Sequence, residues 1–258
     1  MKYIFTAGLP RAGTTLLGTI LKQNPRFEAS ISGPLARYVR AIIYESSSQG
    51  GYKTECTPEK RKKIIAGLFE NYYDDVSKEV CVNHNRGWGL LLPIIKDLYP
   101  ESKLILCVRD INWILDSFEV LQRKNPYIFT SMFSPDESTN VYSRCQTLLR
   151  SDKTLGFAYE ATKQALCSEF KSSIMVIEYE KLAKEPEFIL KTLYNFIGEK
   201  YFKHDFNNVE ASYDEFDEDV QLPGLHTTRK KVEFIERQTI IPPDLQQMVR
   251  QNFPSVWK

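Results

Sequence analysis

The sequence is short of histidine and has no clustered cysteine. Three histidines occur among 258 residues (His84, His204 and His226), and none is spaced to build a metal site with the others. Five cysteines (Cys56, Cys81, Cys107, Cys145 and Cys167) are odd in number and scattered. They fit neither a disulfide framework nor a zinc spacing, so a reducing, cytoplasmic setting is expected. Long hydrophobic runs are missing too. The longest, around Gly89 to Ile95, contains Pro93 and falls far short of a membrane span. Met1 to Phe5 passes straight into a strand pattern, so no export signal is expected. A net charge of +1 argues against a general nucleic-acid binder. Any positive site must therefore be local.

What is present fits one α/β domain covering residues 1–258, with 42% hydrophobic and 26% charged residues. Tyr3 to Ala7 reads as a strand that ends at Gly8, and Thr14 to Gln23 as a helix stopped by Asn24-Pro25. A polar stretch from Glu28 to Cys56 has weak periodicity and a Ser/Gly loop at 46–51. A helix is expected over Pro58 to Asp74, a strand over Val80 to Asn83 and a helix over Leu90 to Leu98. Lys103 to Val108 reads as a buried strand and Asn112 to Gln122 as a helix. Residues 123–140, with Pro126 and Pro135, read as a long loop or lid. One long helix is expected over Ser143 to Phe170, then a strand over Ser173 to Ile177 and a helix over Glu185 to Ile197. The segment from Lys200 reads as irregular. Strands separated by helices predict a three-layer α/β fold of the P-loop nucleotide-binding type, with a central parallel sheet flanked by helices.

Gly8-Leu9-Pro10-Arg11-Ala12-Gly13-Thr14-Thr15 has the skeleton of a phosphate loop between strand and helix. Glycine lets the backbone turn tightly, so amide N–H groups converge at the positive end of the helix dipole and favour an anion. The same spacing also serves plain strand-to-helix turns. A nucleotide triphosphatase would place lysine at 14, where this chain has Thr14, and the loop's cation is Arg11 instead. An ATP-using kinase thus becomes the weaker reading. Further on, Lys103 to Asp110 is a strand ending in Arg109, with Asp110 placed to cap the next helix. Ser117 returns to the same helix face as Asp110. Arg109 and Ser117 could grip one phosphate, or Arg109 could pair with a local carboxylate while Ser117 meets solvent.

Phe5 to Leu17, FTAGLPRAGTTLL, resembles the 5′-phosphosulfate loop of the sulfotransferases that use PAPS (3′-phosphoadenosine-5′-phosphosulfate). The likeness is to the branch holding the protein-tyrosine sulfotransferases and many bacterial enzymes. It implies Arg11, Ala12, Gly13, Thr14 and Thr15 as contacts of the cofactor's 5′ end, and Arg109 with Ser117 as holders of its 3′-phosphate. Val82-Asn83-His84-Asn85-Arg86-Gly87-Trp88 is similar to the segment before that second anchor. Ile177 to Leu182 resembles the segment whose tyrosine meets the adenine, which implies Tyr179. Leu225 to Lys231 resembles the late loop that closes over the cofactor, which implies Arg229 or Lys230.

The implied function is transfer of a sulfuryl group from PAPS to a hydroxyl or amine acceptor, releasing PAP. The acceptor could be a small molecule, glycan, lipid or peptide, and no metal is required. Arg11 and Thr14 are the candidates for stabilising charge in the transition state. The glutamate that the tyrosine-directed enzymes carry after the loop helix has no counterpart in Ala29 to Gly33, and Glu28 and Glu45 are the nearest acids. His84, at a strand end and with an ordinary pKa near 6.5, is the expected general base. Intact anchors with an uncertain base would also suit a noncatalytic binder of PAP or sulfated ligands. Lys60 to Lys63 and the acidic Asp214 to Asp219 read as solvated charge, and Trp88 and Trp113 as possible borders of the acceptor cleft.

Overall fold

The computed structural model describes residues 1–47 and 52–258, so positions 48–51 of the expected Ser/Gly loop lie outside the described residues. The first half of the chain forms β1 (Lys2–Gly8), α1 (Thr14–Leu21), β2 (Phe27–Ala29), α2 (Leu35–Ser47), α3 (Tyr52–Glu55), α4 (Pro58–Tyr72), β3 (Val80–His84) and α5 (Leu92–Leu98). Then follow β4 (Lys103–Val108), α6 (Ile111–Lys124), α7 (Val141–Leu149), α8 (Thr154–Leu166), β5 (Ile174–Glu178), α9 (Tyr179–Lys184), α10 (Pro186–Ile197), α11 (Asp214–Val220) and α12 (Pro243–Asn252). The strands pair side by side in the order β2-β3-β1-β4-β5, every pair parallel. Leu104 to Val108 of β4 are completely buried, as a strand covered on both faces requires.

Local chemistry sets several helix starts. Asp110 accepts from the Asn112 amide at 2.9 Å to open α6, and Thr57 accepts from the Lys60 amide ahead of Pro58 to open α4. The helix expected over Ser143 to Phe170 is two helices. Arg150 turns extended (ψ 143°) and Ser151 to Lys153 leave the helical path. Gly156, lacking a Cβ, admits the Arg150 carbonyl against the first turn of α8. The apolar spacing of Leu148, Leu149 and Leu155 runs through the break and so hides it. Two further elements differ from expectation. The polar stretch from Glu28 to Cys56 holds the end of β2 together with α2 and α3, and of α2 only Leu35, Ala36 and Val39 are buried. The acidic run is helix α11 rather than a loop, and Asp217 within it is buried.

Lys60, Lys62 and Lys63 are exposed, as expected, while Arg61 donates to the Ser46 and Cys56 carbonyls. Trp88 is a core residue against Phe5 and Phe69, and its indole donates to Asn83 Oδ1 at 2.8 Å. Among the described residues, no helix is long and apolar enough to cross a membrane.

Candidate functional site

Parallel pairing places the carboxyl ends of β1, β3, β4 and β5 along one edge of the sheet. Register aligns Thr6 with His84, Gly8 with Cys107 and Val108 with Glu178. The loop after β1, His84, Arg109 and Tyr179 therefore emerge side by side. The chain goes from β1 to β2 and β3 on one flank, and only later to β4 and β5 on the other. The loop sits where the strand order reverses, the place at which open α/β sheets bind ligands.

Glycine is required at both ends of this loop. Gly8 has φ +120°, and a Cβ there would overlap the Cys107 carbonyl. Gly13 has φ +87°, and its Cβ would stand 2.9 Å from the Tyr179 ring. Arg11 is left-handed without being glycine (φ +57°), a conformation that costs an L-residue about 1–2 kcal/mol. Two bonds hold it there. Its Nε donates to Ser117 Oγ at 3.0 Å, and its Nη1 donates to the Leu225 carbonyl. Ser117 thus meets Arg11 rather than Arg109. Arg109 donates from Nε to Glu180 Oε1 at 3.2 Å and from Nη1 to the Arg11 carbonyl at 3.4 Å. Its guanidinium lies 4.3 Å over the Tyr179 ring.

A cleft of about 920 Å³ opens above these groups. Arg11, Gly13, Thr14, Thr15, His84, Arg109, Ser117, Tyr179 and Arg229 line it. Ala12 is buried beneath the loop, and Lys230 lies outside the lining, flanked by Arg229 and Lys231, which belong to it. Trp88, Trp113, Glu28 and Glu45 are not part of the wall either. Ile31, Ser32 and Gly33 do form part of the wall, in the stretch that lacks a carboxylate.

The lining carries nine arginine and lysine side chains against three carboxylates, in a chain whose net charge is only +1. Crowding has a cost that shows at Arg11. Burial first, then Arg109, with Arg229 also contributing, lower its pKa from the usual guanidinium range to about 10. Arg86 is lowered by burial and, among the described residues, has no hydrogen-bond or ion-pair partner. Desolvated cations facing one another suit a ligand bearing several negative charges, so the donor set fits a phosphosulfate nucleotide.

Two imidazoles reach this cleft. His84 Nδ1 lies 3.1 Å from both the Thr6 carbonyl oxygen and Thr6 Oγ1. A carbonyl only accepts, so Nδ1 carries the proton and Nε2 the lone pair. Burial first, then Arg86, lower its pKa to about 3, and it is neutral at pH 7. His226 also lines the cleft, with its Nδ1 on buried Asp217.

Sequence reasoning missed Arg86, Arg237 and Asp217. Arg86 stands two residues past His84 at a strand end, a position from which it could have been singled out. Arg237 is brought in by tertiary contact alone, through an ion pair with Asp116 of α6 and a stack over Trp113. Among the described residues, no three histidine, cysteine or acidic side chains gather as a metal site.

Protein-tyrosine sulfotransferase A of Caenorhabditis elegans is 22% identical over 249 residues, covering 86% of this chain and 60% of the relative. A Caenorhabditis briggsae sequence bearing the same kind of name is 23% identical over 208 residues, covering 77% of this chain and 66% of its own length. The chain thus matches less than two thirds of each relative's length. Among solved structures, a sulfotransferase from Alicyclobacillus acidocaldarius superposes with TM-score 0.52 at 17% identity, covering 84% of this chain and 89% of that one. Retinol dehydratase in a complex with retinol and PAP superposes with TM-score 0.53 at 13% identity, covering 97% and 80%. These two likenesses are of fold. A family model described as the sulfotransferase family matches residues 4–203, and the chain belongs to that family.

Proposed function

We propose that this protein transfers a sulfuryl group from PAPS to a hydroxyl or amine acceptor (a small molecule, glycan, lipid or peptide) and releases PAP. One observation carries the reading. Arg11 and Arg109, delivered by two different strand ends, meet around Tyr179 and a glycine loop in a strongly cationic cleft. Family membership and the fold shared with a structure solved with PAP support it.

The bound donor would supply the activated sulfuryl group, and every other requirement falls on the chain. Loop amides, Thr14 and Thr15 at the start of α1 would hold the 5′ end of the cofactor, with Arg11 beside it. Arg109 and Ser117 would hold the 3′-phosphate, the Tyr179 ring would meet the adenine, and Arg229 or Lys230 would cover it. Donors fixed beside developing charge are worth about 2.7–4 kcal/mol each when removed, which is the scale expected for Arg11 and Thr14. His84 faces the cleft neutral with a lone pair on Nε2, but its pKa of about 3 lies far below the range in which a general base works well near neutrality. A cytoplasmic setting belongs to the same proposal and rests on the scattered cysteines, all free in the structure.

Calorimetric titration with PAP beside ATP plus Mg²⁺ tests the cofactor, and labelled PAPS screened against phenol, sugar and peptide acceptors tests turnover. Micromolar PAP binding, weak ATP binding and label transfer are expected. Tight ATP binding without a response to PAP would favour the kinase. PAP binding with no transfer to any acceptor would favour the noncatalytic binder.

A further inference from the structure

We propose that His226, oriented by Asp217, is the base that takes the acceptor's proton, the role the sequence suggests for His84. The inference rests on the sulfuryl-transfer reading above. Asp217 is a buried carboxylate within an otherwise largely exposed acidic helix, α11. Three N–H groups converge on it. Oδ2 accepts from the Gly224 amide at 2.8 Å, and Oδ1 accepts from the His226 amide at 3.0 Å and from His226 Nδ1 at 2.7 Å. Those bonds fix the ring, place its proton on Nδ1 and leave Nε2 with the lone pair. Phe216 packs against the imidazole at 5.8 Å between centroids.

His226 lines the cleft, and the preceding residue, Leu225, accepts Arg11 through its carbonyl. The imidazole is thereby tied to the loop that carries Arg11. Arg11 from that loop, Arg86 from the turn after β3 and Asp217 from α11 are the charged groups acting on it, and His84 lies near enough to feel it. Burial and the two arginines lower the pKa of His226, but Asp217 opposes them. His84 has no carboxylate behind it. Its Nδ1 partners are a backbone carbonyl and a threonine hydroxyl, so nothing comparable stabilises its imidazolium.

In the proposed step the acceptor's O–H or N–H proton passes to Nε2, and the freed electron pair forms the new bond to sulfur. The sulfur's bond to the 5′-phosphate breaks with its pair departing on PAP, and the imidazolium returns its proton to solvent.

Nitrogen-15 NMR of labelled histidine, with its three rings assigned by substitution, tests the pair without an acceptor. His226 should be protonated on Nδ1 and titrate above His84. Saturating PAP should raise its midpoint, and Asp217→Asn should lower it. With an acceptor from the screen, His226→Asn should bind PAP normally yet lose about 10²- to 10⁴-fold in kcat, and His84→Asn should lose less. Because Asp217 also anchors the Gly224 turn, imidazole rescue of His226→Ala provides a second readout, and rescued turnover is expected. A His226 midpoint indifferent to both PAP and Asp217→Asn, or wild-type turnover in His226→Asn, would overturn the inference while leaving PAP binding intact. Failure of the wild type to bind PAP would instead remove the reading on which it rests.

Discussion

Replacing Arg109 with alanine tests the division of labour in the cleft, because this side chain is committed to one end of the proposed ligand. Its guanidinium stacks 4.3 Å over Tyr179 and reaches Glu180 and the Arg11 carbonyl, so the fork is already oriented before any phosphate arrives. A hydrogen bond to a charged group contributes about 1.5–3 kcal/mol, which corresponds to roughly a 10- to 150-fold rise in Kd for PAP. Two effects move this figure. Loss of the Arg109 charge lowers the positive potential over the loop somewhat, although Arg11, with a pKa of about 10, stays protonated at neutral pH. Glu180 loses its partner and leaves an uncompensated carboxylate near the 3′-phosphate, which weakens PAP further. Inorganic sulfate, bound at the loop alone, should feel chiefly the first effect and lose little affinity. The assay is calorimetry with PAP and with sulfate at matched ionic strength, since both interactions are screened. Arg109→Lys keeps the charge without the planar fork and should fall between wild type and alanine for PAP. Equal losses for PAP and sulfate would refute the assignment of Arg109 to the 3′-phosphate.

Gly13→Ala should lower Tm and PAP affinity together, because left-handed backbone costs alanine about 1–2 kcal/mol and the new Cβ meets the Tyr179 ring. Arg86→Met should raise Tm and weaken PAP binding, since it removes a desolvated cation with no protein partner among the described residues. Thermal melts and calorimetry on one preparation check both signs, and a lower Tm would show that Arg86 is satisfied in the free protein. His204 is buried with its pKa lowered to about 4 from 6.5, so the unfolded chain binds more protons between those values. Its contribution should be complete above about pH 6.5 and lost as pH falls toward 4, at a slope approaching 1.4 kcal/mol per pH unit. Urea titrations across that range should show a shallower dependence in His204→Phe.

The sequence by itself determined the order of elements around the phosphate loop. A strand ending in glycine, a second strand ending in Arg109 and a third leading to Tyr179 were legible because short apolar runs and turn chemistry are local properties of the chain. Lys103–Val108 has the same bounds in the structure as in the sequence reading, since a fully apolar strand between charged ends admits little ambiguity. The break before α8 was not legible. It depends on a carbonyl seated where Gly156 lacks a Cβ, while the apolar pattern runs on without interruption. Helix α2 was obscured for a different reason, because it buries only one short patch.

Only the tertiary structure decided which side chains meet. Ser117 pairs with Arg11 rather than Arg109, Arg237 reaches the cleft through Asp116, and one carboxylate of an acidic run turns inward to hold His226. Two of these contacts join residues more than 100 positions apart, and the third depends on which face of α11 turns inward. Their energies depend on burial and on neighbouring charge, and both exist only after the sheet has brought its strand ends together.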